Sequence, residues 1–496
     1  WLQWLVDAKQ TLWQVLPFGP TTGFSGNSPY SALSAFAIDP IYIDLEALAD
    51  AGWIDSAPNS VSGAAEASDP AGSAVVDFEA AREKRDVLRR AHERWARGGG
   101  SSSLEYEAFA QSNATWLPDY ALFMALRAET GTAWFEWPEP IRTRAQDALA
   151  QARDDHAATI AFEQFCQFIA DRQWRGVRQR AHELGLEIFG DLPIYVSLDS
   201  ADVWVEQRQF QLDAAGRPGV VSGVPPDYYS ELGQRWGNPL YRWSAMADDG
   251  YRWWIARLRR NARLFDVLRL DHFRGFASYW EIDAAAPDAV GGRWVVGPGA
   301  SFFESVRESL PDLPLVAEDL GVITEEVHAL RKETGLPGMR VLQFAFGEGF
   351  PRSEHAPHEL ERNTVLYTGT HDNNTLRGWW EDELSDEERD RVSQYVGRSV
   401  STESVADDLC RVALSSVADR VVIPLQDGLG LGSNARLNTP GTATGNWSWR
   451  ASSEAFSSEA ADKLRDWTEV YARASDVEHD EEPLASEEGR GEGEEE

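Results

Sequence analysis

Three segments of this 496-residue chain gather the side chains best suited to acid, base and nucleophilic chemistry. The first reads Val267-Leu268-Arg269-Leu270-Asp271-His272-Phe273-Arg274-Gly275. Alternate side chains of a strand share a face, so Val267, Arg269 and Asp271 point together, with the polar pair at the strand's C-terminal end. An arginine two residues before an aspartate keeps that carboxylate ionised, as a nucleophile must be. The second, Leu315-Val316-Ala317-Glu318-Asp319-Leu320-Gly321, is an apolar run ending in two carboxylates before a glycine turn. Glu318 is its acid/base candidate, because a long side chain on an apolar strand is partly desolvated and its pKa rises towards the working pH. The third, Thr368-Gly369-Thr370-His371-Asp372-Asn373-Asn374-Thr375, sets His371 to donate a hydrogen bond to a hydroxyl-rich substrate and Asp372 to accept two from it.

Each segment alone has a plainer reading: a structural ion pair for Arg269 and Asp271, a helix cap for Glu318 and Asp319, a metal site for His371 and Asp372. The last lacks the ligand spacing of a zinc motif or an EF-hand loop, so no metal is expected. The combination says more than its parts. The three carboxylates follow one another at intervals of 47 and 54 residues, each long enough for one or two βα units. Retaining glycoside cleavage needs two carboxyl groups about 5–5.5 Å apart, one as nucleophile and one as acid and then base. Neighbouring strand ends of a parallel barrel, where active sites of that fold assemble, can supply this spacing.

The elements that must position these groups read as parallel βα units. Short β-rich runs at 12–16, 186–189, 265–270, 315–317, 339–346, 364–367 and 420–425 end in polar or glycine turns and are separated by helical patterns. Thr324 before Glu325 and Glu326, and Ser385 before Asp386, Glu387 and Glu388, have the form of helix starts. A largely helical insertion is expected at about 45–168, with a surface loop at 55–73, inside a single catalytic domain spanning 1–475. The acidic tail 476–496 is too poor in apolar residues to offset ordering entropy and is expected to be disordered.

Composition narrows the partners. The 21 Trp and 13 Tyr supply flat apolar faces with polar handles, suited to sugar rings. A formal charge of −35, with 81 acidic residues against 46 basic ones, opposes binding to nucleic acid. Such an acidic, lysine-poor chain suits the salt-screened cytoplasm of a halophile. Cys166 and Cys410 are too few for a disulfide framework and fit a reducing cytosol. No apolar run of about 18 residues and no signal-peptide pattern occurs, so no membrane partner is expected. Leu2, Leu5 and Val6 follow Trp1 as an amphipathic helix, so a further segment is expected upstream of it.

The segments resemble the amylomaltase family of 4-alpha-glucanotransferases, glycoside hydrolase family 77, over nearly the whole chain. The matching stretches include Trp13-Gln14-Val15-Leu16-Pro17-Phe18-Gly19-Pro20, Asn27-Ser28-Pro29-Tyr30, Gly190-Asp191-Leu192-Pro193-Ile194-Tyr195-Val196, Pro225-Pro226-Asp227-Tyr228-Tyr229, Gly233-Gln234-Arg235-Trp236-Gly237-Asn238-Pro239-Leu240-Tyr241 and Asn446-Trp447-Ser448-Trp449-Arg450, together with the three segments above. The resemblance implies a (β/α)8 TIM barrel with mainly helical insertions. Family members open with a strand carrying a His-Pro-Thr-Ser-Leu type segment, absent here, so a barrel lacking its first strand is expected. It further implies Asp271 as nucleophile, Glu318 as general acid/base and Asp372 as transition-state stabiliser. Asp191, Arg269, His272 and His371 would surround the sugar at the cleavage point. Ser28, Tyr30, Asp227, Tyr228, Tyr229, Gln234, Trp236 and Asn438 would bind donor or acceptor glucan, and the loop 221–241 would exclude water. The implied substrates are maltooligosaccharides or other alpha-1,4-glucans, and no cofactor is implied. The rival readings are an alpha-amylase-like hydrolase and a non-catalytic glucan-binding protein.

Overall fold

The computed structural model describes residues 1–57, 73–226, 230–442 and 444–474. In chain order its strands are β1 (Leu12–Gln14), β2 (Ser73–Val75), β3 (Glu187–Leu192), β4 (Val220–Val224), β5 (Gln234–Pro239), β6 (Val267–Leu270), β7 (Ser278–Asp283), β8 (Arg293–Val296), β9 (Leu315–Ala317), β10 (Gly338–Val341), β11 (Thr364–Tyr367), β12 (Arg420–Val422) and β13 (Trp449–Ala451). The seven expected runs all join one parallel sheet in the order β1-β3-β6-β9-β10-β11-β12. Strands that neighbour in sequence, with helices between them, also neighbour in space, which is the winding of a TIM barrel.

Strand alternation sorts the side chains into two cores. Phe189, Val267, Val316, Met339, Val341, Val365 and Tyr367 pack together inside the barrel. Their sequence neighbours Ile188, Leu268, Leu270, Leu315, Ala317 and Leu366 join the larger cluster between sheet and helices. Gly190 permits this outer packing at one tight place, since a Cβ there would meet the Phe265 ring at 2.2 Å.

Four strands are shorter than their apolar runs: β1 stops at Gln14, β6 starts only at Val267, and β10 and β12 give way to helix. The 339–346 run keeps only Gly338–Val341 as strand and then winds into a 3-10 helix, Leu342–Phe346, from which Gln343 Nε2 donates to the Asn374 carbonyl at 2.8 Å. The 420–425 run stops at Val422, because Pro424 has no N–H for a ladder and instead caps the short helix Leu425–Gly428. Ser385 starts its helix as expected, and it does so in a reciprocal capping box with Glu388. Thr324 precedes the helix Glu325–Thr334 as expected, but its side chain makes no capping bond to the helix backbone.

The insertion is helical, with Phe78–Arg97 capped by Asp77, which accepts from Glu79 N and Ala80 N at 3.0 Å. Its last helix, Ala157–Glu183, runs past residue 168 and leads into β3. Most of the 55–73 stretch and all of the 476–496 tail lie outside the described residues. A second, antiparallel sheet, β5-β4-β7-β8, contains much of the 221–241 segment.

The barrel sheet is nearly closed, with seven of the eight strands of the ideal fold among the described residues. Its edges, β1 and β12, flank a cavity of about 340 Å³ lined by Leu12, Gln14 and Val422, and by Trp1 and Trp4 at the start of the helix Leu2–Asp7. Among the described residues no helix is long and apolar enough to cross a membrane.

Candidate active site

Three adjacent barrel strands deliver polar side chains to one end of the interior. Asp191 on β3 lies opposite Arg269 on β6, and Leu270 lies opposite Ala317 on β9, so Asp271 and Glu318 each follow by one residue. Neighbouring strands are about 4.8 Å apart, which brings Asp271 and Glu318 side by side.

Arg269 is the charge that organises this end. Its Nη1 donates to both Asp191 oxygens at 2.8 Å and lies 2.9 Å from Asp271 Oδ1. Burial pushes Asp271 up to about 6; Arg269 opposes the rise and Asp191 adds to it. Burial pushes Glu318 higher, to about 8, again opposed by Arg269 and reinforced by the Asp271 charge. Glu318 is fixed by two backbone donors, His272 N to Oε2 at 2.6 Å and Leu320 N to Oε1 at 3.1 Å. Burial thus favours the protonated form of Glu318, while Arg269 favours the ionised form of Asp271 beside it.

His272 adopts a left-handed backbone, φ 51°, a conformation that L side chains enter at some cost. That turn aims its N–H at Glu318. Burial, with help from Arg274, pushes its imidazole down to about 3, so the ring is neutral. Its Nε2 is buried and has no hydrogen-bond partner among the described residues. The Trp236 ring meets the imidazole edge-on at 4.8 Å.

Asp372 stands on the loop after β11, its side chain 49% exposed and thus open to a ligand. Asn438 Nδ2 donates to its Oδ1 at 2.6 Å, and Arg436 Nη2 donates to its carbonyl at 2.7 Å. His371 Nε2 is 3.5 Å from the same Oδ1, while His371 Nδ1 is 3.4 Å from the Tyr30 hydroxyl. Tyr30 donates to Asp191 Oδ2 at 2.6 Å and so links the Asp372 side of the site to Arg269.

The fold thus gathers Tyr30, Asp191, Arg269, Asp271, His272, Glu318, His371, Asp372 and Asn438, with Trp236 against His272. Gln234 sits beside Trp236, its Oε1 accepting from Trp236 Nε1 at 3.1 Å. Ser28 lies in the turn that presents Tyr30, its Oγ accepting from Tyr30 N at 3.3 Å. Asp227, Tyr228 and Tyr229 lie outside the described residues.

Three residues outside the expected set also support the site. Arg436 holds the carbonyls of both Asp372 and Asn438, its Nε donating to the latter at 2.8 Å. Trp447 packs near Tyr30 and His371, at 5.9 and 5.7 Å between ring centroids. Asp319 does not cap a helix. It is 1% exposed, accepts from Met339 N at 2.7 Å and pairs with Arg331 and Arg340 at 3.0 and 3.1 Å, tying β9 to β10 beneath Glu318. Trp447 already belonged to the Asn446–Arg450 motif, whereas local spacing carries no signal for Arg436 or Asp319, whose partners are brought by the fold.

Comparison with known proteins identifies the family. The sequence model of glycoside hydrolase family 77, described as 4-alpha-glucanotransferase, matches residues 1–455. The 4-alpha-glucanotransferase of Thermus thermophilus is 44% identical over 95% of this chain and 93% of its own. The chloroplastic/amyloplastic 4-alpha-glucanotransferase of Solanum tuberosum is 43% identical, covering 95% and 82% respectively. Among solved structures, the amylomaltase of Streptococcus agalactiae in complex with acarbose superposes with a TM-score of 0.89 at 34% identity, over 95% of this chain and 94% of that one. The chain belongs to the glycoside hydrolase 77 family of 4-alpha-glucanotransferases.

Proposed function

We propose that this 4-alpha-glucanotransferase works by retaining double displacement, with Asp271 as nucleophile, Glu318 as acid and then base, and Asp372 as stabiliser of the flattened sugar. Glu318 gives its proton to the glycosidic oxygen while Asp271 attacks the anomeric carbon, so the C–O bond to the leaving glucan breaks as a glucosyl ester forms. The 4-hydroxyl of an acceptor glucan then attacks that carbon, Glu318 takes its proton, and Asp271 leaves as carboxylate. Asp372 and His371 hold ring hydroxyls, and the neutral His272 offers an Nε2 that has no hydrogen-bond partner among the described residues. Trp236, with the stiff Pro225-Pro226 approach, favours sugar over water on the acceptor side.

The observation that carries the reading is the pairing of carboxyl groups in unlike surroundings on neighbouring strand ends: Asp271 lies 2.9 Å from the buried Arg269, whereas Glu318 is held by two backbone donors and pushed up by burial. The substrates on this reading are maltooligosaccharides and longer alpha-1,4-glucans. The buried, unpaired Cys166 and Cys410 and the −35 charge further support a cytoplasmic protein adapted to high salt.

The test is to trap the ester. A Glu318→Gln variant given an α-maltosyl fluoride, whose leaving group needs no proton, should gain the mass of the sugar on the peptide containing Asp271. A sugar adduct mapped to any other carboxylate would remove Asp271 from the nucleophile's role.

A further inference from the structure

Outside the catalytic cleft, the antiparallel sheet β5-β4-β7-β8 presents a second aromatic surface. Register places Gly223, Trp280 and Trp294 in one cross-strand row, so the two indoles share a face, with ring centroids 5.0 Å apart. Trp236 belongs to the neighbouring position of β5 and meets His272, so it serves the cleft and not this row. Trp294 lies on the edge strand β8 and remains 40% exposed, and Val296, two residues on and on the same face, is 82% exposed.

Trp294 is held in place from behind. The Arg274 guanidinium sits over its ring at 3.8 Å from the centroid. Arg274 is itself 4% exposed, donates to the Val322 carbonyl and to Ser278 Oγ, and forms no ion pair among the described residues. A buried cation without an ion-pair partner among the described residues gains from the π face it covers, so one face of the indole is occupied and fixed while 40% of the residue stays exposed. A ring already fixed loses little freedom on binding. Arg274 follows Asp271 by three residues, and Val322 follows Glu318 by four, so this surface is anchored to the two loops that carry the catalytic carboxyls.

We infer that the Trp294–Val296 face is a surface site for alpha-1,4-glucan, holding part of a long chain whose other part is in the cleft. The footprint selects the ligand. One indole and its β-branched neighbour match the apolar face of one or two sugar rings. They fall far short of the roughly 800 Å² per partner that a stable protein contact buries. The inference takes the polymer's identity from the family's activity and is independent of which carboxylate is the nucleophile.

The test uses the whole chain and two readouts. In native gels containing amylose, Trp294→Ala should be retarded less than the parent protein. In disproportionation assays, the ratio of KM for amylose to KM for maltotriose should rise by about tenfold, the loss of one aromatic contact. Trp294→Phe, which keeps a π face for Arg274, should fall between. Val296→Asp, which leaves Arg274 and its ring untouched, should raise the same ratio and guards against a folding defect in the tryptophan variants. Unchanged retardation and an unchanged ratio in Val296→Asp and Trp294→Phe would overturn the site, as would equal losses on both substrates. The Glu318→Gln trapping experiment reads the catalytic assignment separately, so the two ideas can fail independently.

Discussion

Replacing Asp191 with Asn should move the acid side of the pH profile and leave the alkaline side nearly in place. On the proposed mechanism productive enzyme needs Asp271 ionised and Glu318 protonated, so kcat/KM should rise through about 6, fall through about 8 and peak near neutrality in the parent protein. Asp191 and Asp271 both lie against the single Nη1 atom of Arg269, at 2.8 and 2.9 Å, which keeps their facing oxygens within about 5.7 Å of each other. At an effective dielectric of about 20, two unit charges at that range repel by about 3 kcal/mol, or about two pKa units. The shared guanidinium cancels part of this, so we expect a shift of about one unit. The sign is fixed by the geometry: Asp191 raises Asp271, so its neutralisation lowers Asp271 and leaves Arg269 to pair with Asp271 alone. The acid limb should move from about 6 towards about 5. The assay is glucose release from maltotriose across pH 4–10, read as the shape of kcat/KM, because on the proposed mechanism Asp191 also faces substrate and the amplitude should fall. An acid limb that stays put or moves upward, or an alkaline limb that moves further than the acid one, would refute the electrostatic account.

Two further outcomes follow from charge. Asp319→Ala leaves Arg331 and the Met339 N–H without their buried acceptor and should cost about 3–5 kcal/mol in denaturant unfolding; a loss below about 1 kcal/mol would mean that the cluster is not what ties β9 to β10. Raising KCl from 0.1 to 2 M shrinks the Debye length from about 10 Å to below about 3 Å and should raise the melting temperature by several degrees through screening of the −35 charge; a flat or falling curve would count against adaptation to salt.

The barrel strands were legible because each is short, apolar and bounded by turns, and period-two alternation alone placed Val267, Arg269 and Asp271 on one face. The same alternation explains why Asp319 points away from Glu318 to the opposite side of the sheet. Two adjacent acids look equivalent in one dimension, but here the fold turns them to different partners. Helix starts were less secure: Ser385 closes its box with Glu388, whereas Thr324, in an equally suggestive context, makes no capping bond to the helix backbone.

By itself, the sequence determined the chemistry available and its order along the chain: three carboxylates at the ends of apolar runs, in motifs shared with one enzyme family. It did not determine their states. That Glu318 is pushed up to about 8 and Asp271 to about 6 follows from burial and from Arg269, Asp191 and one another, residues brought together across β3, β6 and β9. The same holds for Arg436, which reaches from the segment before Asn438 to the Asp372 carbonyl, and for Trp294, whose ring is fixed by an arginine twenty residues earlier. Local pattern sets which side chains face inward, because strand geometry depends only on near neighbours. Proton affinity and partner choice depend on distances across the fold, and only the tertiary structure supplies those.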